Sequence, residues 1–124
     1  MVGVKDDERP LFLQIAARIE NAVVDGSLAE EDRAPSTNEL AAFHRINPAT
    51  AAKGINQLVT DGVLYKKRGI GMFVATGARA LLLERRRDEF AQQYLAPLMA
   101  EAQKLGMDAD QVKKMIDVWG DEAS

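Results

Sequence analysis

The chain has 124 residues, of which 47% are hydrophobic and 28% charged, a composition typical of a soluble globular protein with room for one small domain and a short appendage. It contains no cysteine and one histidine, so we expect no disulfide, no metal site, no cofactor and no enzyme built on a Ser-His-Asp triad. The acidic start MVGVKDDERP and the absence of an apolar run near the roughly 18 residues of a membrane span predict a cytoplasmic protein without membrane contact.

The charge is distributed unevenly along the chain. The net charge is −3, but residues 33–74 carry six basic and two acidic residues, a local charge of +4. The acidic residues gather at 6–8, at 30–32 and along the C-terminal part. Such segregation is expected of a domain with one DNA-facing side, so the sequence indicates double-stranded DNA as a partner.

The first predicted helix covers residues 10–25. Proline at the first helical position costs no hydrogen bond, and Gly26 supplies a C-terminal stop. Between them, apolar residues recur at three- and four-residue spacing, which predicts one buried helix face. The stripe consists of Leu11, Ile15, Ala16, Ile19, Ala22 and Val23.

Two short helices are predicted next, separated by about three residues. Ser36 and Glu39 form a capping box for a helix that ends near His44. Asn47 is a good N-cap, and Pro48 a good first residue, for a helix that ends at Asp61-Gly62. These proportions predict a helix-turn-helix. We expect the buried faces to be Leu40, Ala41 and Phe43 in one helix and Ala51, Ile55, Leu58 and Val59 in the other.

A β-hairpin should follow the helix-turn-helix directly. Residues 63–67 form the first predicted strand, 68–71 the turn and 72–75 the returning strand. Gly69 and Gly71 permit positive φ angles at a tip where basic residues collect. A hairpin with a cationic tip in this position is typical of a wing.

The C-terminal part reads as two helices. The first should be kinked by Pro97, and Asp108 could cap the second. A two-helix segment cannot enclose a core of its own, so we expect its apolar stripe to pack against a second copy of the chain. The predicted dimerisation residues are Phe90, Tyr94, Leu98, Met99, Leu105, Val112, Met115, Ile116 and Trp119.

The predicted fold class is therefore mainly α with a small β-hairpin. Residues 1–76 form a winged helix-turn-helix DNA-binding domain, and residues 77–124 a C-terminal helical dimerisation region. An alternative use of Tyr94, Met115 and Trp119 is to line a small ligand pocket at the dimer interface, where a small-molecule effector could bind.

The first 75 residues resemble the GntR family of regulators. The matching segments, in order, are Pro10-Leu11-Phe12-Leu13-Gln14-Ile15, Gly26-Ser27-Leu28, Pro35-Ser36, Glu39-Leu40-Ala41, Leu58, Asp61-Gly62-Val63-Leu64 and Gly69-Ile70-Gly71-Met72-Phe73-Val74. The segment Ile46-Asn47-Pro48-Ala49-Thr50 and the short tail are similar to the YtrA subfamily.

The resemblance implies a homodimeric repressor or activator, of which we favour the repressor, on a pseudo-palindromic operator. It also implies DNA contacts by Thr50 and by the wing tip at Arg68 and Gly69. Many relatives carry arginine where this chain has Asn38, and a basic or polar residue where it has Pro48. Their arginine-to-guanine contacts therefore do not transfer to this chain.

Several candidate DNA-binding residues have simpler structural roles as alternatives. Capping alone would explain Ser36 and Asn47, and Arg45 and Lys53 could be solvated surface charges rather than phosphate contacts. The full predicted DNA-binding set is Ser36, Asn38, Arg45, Asn47, Ala49, Thr50, Lys53, Lys67, Arg68 and Gly69. The alternative function is a winged-helix protein-interaction module without operator recognition.

Overall fold

The computed structural model describes residues 8–123. This part of the chain divides into two compact units, one that ends at residue 84 and one that begins at residue 85. Helices α1 (Leu11–Asp25), α2 (Thr37–His44) and α3 (Pro48–Thr60) precede strands β1 (Leu64–Lys67) and β2 (Gly71–Val74). The remaining elements are α4 (Ala78–Phe90), a π-helical turn (Ala91–Leu95), α5 (Ala96–Lys104) and α6 (Ala109–Ala123). The mainly helical fold with one antiparallel hairpin is as predicted.

Helix α1 lies where the apolar spacing predicts it. Pro10 is the residue before the first helical turn, and Gly26 ends the helix with a φ of +86°. Four residues of the stripe, Ile15, Ala16, Ile19 and Val23, are buried in the core, whereas Leu11 is 45% exposed.

The capping box at the start of α2 is formed as predicted. The Glu39 N–H donates to Ser36 Oγ at 3.1 Å, and the Ser36 N–H donates to Glu39 Oε1 at 3.0 Å. Phe43, however, is 81% exposed, so its predicted burial is wrong. At 100° per residue, His44 falls within the arc of Leu40 and Ala41, whereas Phe43 lies outside it.

Helix α3 is capped by Asn47, whose Oδ1 accepts the Ala49 N–H at 2.8 Å. Ala51, Ile55 and Leu58 are buried as predicted. Val59 is 39% exposed and lies at the edge of the buried stripe, so its predicted burial is also wrong.

The hairpin pairs Leu64 with Val74 and Lys67 with Gly71. The segment before α2 extends this small sheet, because the Ala34 N–H donates to the Met72 carbonyl at 2.8 Å and the Val74 N–H to the Asp32 carbonyl at 3.0 Å. The loop at residues 31–34 therefore lies along β2 and joins the wing to the helical part of its unit.

The core of the first unit is apolar and spans all its elements. Its largest fully buried side chains are Val23, Leu58, Val63, Leu64, Val74 and Leu82. Ala78 and Leu82 of α4 belong to this core. The predicted division of the chain at residues 76/77 stays a prediction, but the packed core itself takes in the start of α4.

The second unit has little interior of its own. Of its described residues, 85–123, Ala102 and Val112 are buried. The π-helical turn ends two residues before Pro97, which has no N–H to donate, so the departure from α-helical bonding occurs near the expected kink. Asp108 caps α6 through a bond from the Gln111 N–H to Asp108 Oδ1 at 2.9 Å.

Candidate nucleic-acid interface

The exposed start of α3 is the first part of the candidate interface. Ala49 and Lys53 are exposed and Thr50 is half-buried. A helix N-terminus carries a partial positive charge and suits a phosphate or a groove edge. Asn47 Oδ1 already holds the Ala49 N–H, so capping accounts for this asparagine and a DNA contact by it stays a prediction.

Lys53 has a neighbour that the sequence does not reveal. Its Nζ lies 4.3 Å from the centroid of the Phe12 ring on α1, a cation–π contact. The ammonium is thus held at the seam between α1 and α3. Because Lys53 remains exposed, it can still reach a phosphate from this position.

The turn of the helix-turn-helix presents a cation on a strained backbone. Arg45 is exposed and has a φ of +54°, a left-handed conformation that non-glycine residues rarely adopt. Such conformations cluster at functional sites. Asn38 is exposed on the first turn of α2, whereas Ser36 is half-buried and engaged in the capping box.

The wing tip is a tight turn. The Ile70 N–H donates to the Lys67 carbonyl at 3.0 Å, and Gly69 between them has a φ of +75°. Arg68 and Gly69 are exposed, as a groove contact requires. Ile70 is 61% exposed at the same tip, within the turn that the sequence predicts.

The two lysines of β1 lie on opposite faces of the strand. Lys67 Nζ lies 4.2 Å from the centroid of the Phe73 ring, across the hairpin. Lys66 is exposed on the other face. The choice of Lys67 as the DNA-facing lysine stays a prediction, and Lys66 is a candidate that the sequence pattern alone did not favour.

Two acidic groups of the helix-turn-helix, Glu39 and Asp61, are held in structural bonds. The capping bonds with Ser36 lower the pKa of Glu39, and the nearby charge of Arg33 acts in the same direction. Asp61 accepts a hydrogen bond from Gln57 Nε2 at 3.1 Å. The unit therefore offers exposed cations at the start of α3, in the turn and at the wing tip.

The predicted dimerisation residues are placed mostly at the surface of the second unit. Tyr94 is 61% and Trp119 68% exposed, and the Phe90 and Tyr94 rings lie 5.4 Å apart. Val112 is the exception, because it is buried within its own chain. The other exposed apolar members are Phe90, Leu98, Leu105, Met115 and Ile116, and Met99 is half-buried.

Each unit has a surface cleft. The second unit has an apolar groove of about 300 Å³ between α5 and α6, with Ala102, Val112 and Trp119 among its lining residues. A cleft of about 860 Å³ between α1 and α2 includes Arg18 and Phe43. Met115 also lines this groove and Tyr94 does not, so a ligand pocket at the dimer interface stays a prediction. The larger cleft was not predicted. Within residues 8–123, no cluster of three or more His, Cys, Asp or Glu residues could hold a metal ion.

The profile of the family "Bacterial regulatory proteins, gntR family" matches residues 11–74, from α1 to the end of the hairpin. The chain belongs to the GntR family. Members of this family are transcription regulators, so the chain is a transcription regulator and not an enzyme. No helix in the described part of the chain is long and apolar enough to cross a membrane.

The relatives of this GntR chain match it beyond the DNA-binding unit. The transcriptional repressor YtrA of Bacillus subtilis is 26% identical over 107 residues, which cover 86% of this chain and 82% of YtrA. A GntR-family protein from Bacteroides thetaiotaomicron, of known crystal structure, is 31% identical to this chain, with a TM-score of 0.78. The match covers 93% of this chain and 100% of that protein's chain. The likeness to the YtrA group therefore extends into the two-helix tail.

One further structure includes DNA. The DNA-binding domain of AraR in complex with operator ORE1 is 30% identical to this chain, with a TM-score of 0.53; the match covers 57% of this chain and 87% of that domain. The winged unit of this GntR regulator thus has the fold of a domain that binds operator DNA.

Proposed function

We propose that this chain is a homodimeric repressor that binds a pseudo-palindromic operator in the cytoplasm. The observation that carries the proposal is the apolar surface of the second unit, in a chain whose winged unit has exposed cations. The name of YtrA, a repressor, supports the sign of regulation.

The apolar surface of residues 85–123 supports the proposed dimer. Seven large apolar side chains there, the exposed members of the predicted dimerisation set, are at least 44% exposed. Contiguous apolar surface of this kind marks an interface, and a two-helix unit with two buried residues gains most of its stability by packing. A second copy offers the same surface, and a two-fold axis brings the two surfaces together.

The exposed cations of the first unit support the proposed DNA contact. We place α3 in the major groove, with Ala49, Thr50 and Lys53 toward the bases and phosphates. We place the wing tip, Arg68 and Gly69, in the flanking minor groove, where an arginine senses the negative potential. The AraR complexes with operator DNA support this use of the fold.

A second set of contacts would fix the register on the duplex. Arg45 in the turn and Lys67 on the hairpin would reach phosphates, and Asn38 would reach a base edge or a phosphate. Two such units on one dimer would occupy half-sites about one helical turn apart. A small-molecule effector, if the regulator uses one, would bind at the tail interface, where the groove of about 300 Å³ lies.

The proposal is tested by selecting bound duplexes from a random pool and following affinity against salt. We expect a two-fold symmetric sequence and a steep fall of affinity with salt, because several phosphates are neutralised. Recovery of nothing above non-specific binding would contradict operator recognition and favour the protein-interaction module. Recovery of a single asymmetric half-site would contradict the dimer.

A further inference from the structure

Glu31 combines an unusual backbone with two side-chain bonds to the hairpin. Its φ is +70°, and within residues 8–123 it shares a positive φ with one other non-glycine residue, Arg45. A left-handed conformation is unfavourable for any residue with a Cβ, and glycine would avoid the strain. A glutamate at this position therefore indicates that its side chain makes contacts that compensate for the backbone strain.

The carboxylate of Glu31 connects both ends of the wing. One oxygen accepts a hydrogen bond from the Tyr65 hydroxyl on β1, and the other accepts from Thr76 Oγ1, just after β2, at 2.6 Å. The Glu31 N–H donates to the Val74 carbonyl at 2.8 Å. We call the three side chains Glu31, Tyr65 and Thr76 the wing clasp.

The charged form of Glu31 is the one that holds the clasp. The bonds from Thr76 and Tyr65, together with the charge of Lys67, lower the pKa of Glu31. The bond to Glu31 raises the pKa of Tyr65, which keeps the phenol protonated as a donor. The clasp is thus intact at neutral pH.

The neighbouring carboxylates make different contacts. Asp32 Oδ2 accepts the Ala29 N–H at 3.0 Å inside the loop, and Glu30 Oε2 accepts the Arg79 N–H of α4 at 3.3 Å. Neither bond reaches a hairpin strand. The three carboxylates at 30–32 therefore have different hydrogen-bond partners, and among them only Glu31 bonds to the side chain of a β1 residue.

We infer that Glu31 is a positioning residue for DNA binding: it holds the hairpin in the orientation that presents Arg68 to the minor groove. A two-stranded hairpin is marginally stable in water by itself, so its orientation depends on its contacts with the rest of the unit. This inference rests on the wing contact of the proposed function and names the residue that fixes the wing in place.

The sign of the effect separates positioning from simple electrostatics. Removing a carboxylate from a DNA-binding domain strengthens binding if the charge alone matters, because one repulsion of phosphate is lost. Removing Glu31 weakens binding if the clasp positions the wing. Glu31→Ala keeps a Cβ at the strained position, and Glu30→Ala removes the same charge one residue away as a matched control.

The experiment measures the Kd for the tightest duplex recovered from the random pool. We expect Glu31→Ala to raise the Kd, and by no more than Arg68→Ala raises it in the same assay. Glu30→Ala should bind equally or slightly more tightly. Tyr65→Phe, which removes one hydroxyl and no charge, should raise the Kd by less than Glu31→Ala and guards against a folding defect in that variant.

A double-mutant cycle with Arg68→Ala tests the route of the effect. If Glu31 acts through the wing, Glu31→Ala adds little in a chain that already lacks Arg68. Two outcomes overturn the positioning role of Glu31 and leave the wing contact of the proposed function standing. In one, the effects of the two substitutions on the free energy of binding add fully; in the other, Arg68→Ala weakens binding but Glu31→Ala does not. An Arg68→Ala chain that binds as tightly as the parent contradicts the wing contact of the proposed function, and the positioning role with it.

Discussion

Replacing Gly54 with alanine tests how closely α3 packs against α1. Gly54 lies in the middle of α3, and a Cβ built there would lie 2.9 Å from the Phe12 carbonyl oxygen of α1 and 3.7 Å from Ile15 Cβ. The oxygen belongs to the backbone of a helix, so it cannot rotate away as a side chain could. The two helices would have to separate by a few tenths of an ångström.

The magnitude is set by two opposing terms. Alanine in a helix interior is favoured over glycine by about 1 kcal/mol. Extra volume in a close-packed contact costs typically about 1–3 kcal/mol. We therefore expect Gly54→Ala to lower the free energy of unfolding by about 1 kcal/mol, the balance of these two ranges.

Gly120 in α6 provides a matched control, because a Cβ there would meet nothing within 4 Å. Gly120→Ala should raise the free energy of unfolding by up to about 1 kcal/mol, since propensity acts alone. Urea unfolding followed by circular dichroism measures both variants. A Gly54→Ala chain more stable than the parent would refute the close approach of α1 and α3.

Three further outcomes are expected. Arg68→Ala should lower the slope of log affinity against log salt by about one, because one cation leaves the DNA contact; an unchanged slope removes Arg68 from that contact. Leu98→Asp should separate the dimer and sharply weaken operator binding, because linked half-sites bind by effective concentration. The control Gln103→Asp, with the same charge change at an exposed polar position, should remain dimeric in sedimentation, and loss of the dimer in both would contradict the proposed interface. Because the pKa of Glu39 is lowered in the folded chain, its stabilising contribution is full above the ordinary carboxyl pKa of 4.5 and is lost as the pH falls through the folded pKa. In an acid titration below pH 5, the free energy of unfolding should therefore fall less in Glu39→Gln than in the parent. An equal fall in both chains would refute this.

The local signals in the sequence predicted most of the fold. The capping box at Ser36, the Asn47-Pro48 start of α3 and the glycine at position 69 in the hairpin each act over a few residues, so their patterns are sufficient. The sequence predicted burial less well at the edges of helices. Phe43 follows the spacing of Leu40 but lies outside the buried arc of a short helix.

Contacts between distant segments could not be predicted. The bonds of Glu31 span 34 and 45 residues to Tyr65 and Thr76, and the run of three acids gave no sign of them. Likewise, no local pattern sets Lys53 against the Phe12 ring. Such pairs depend on how α1, the loop at residues 31–34 and the hairpin pack together.

In the proposed function, two chains bind one operator through paired half-sites. Sedimentation of the protein with the duplex recovered from the random pool measures the stoichiometry directly. We expect two chains per duplex and a free protein with the mass of two chains. A single chain on the duplex, with affinity unchanged when one half-site is scrambled, would contradict the proposed dimer on paired half-sites.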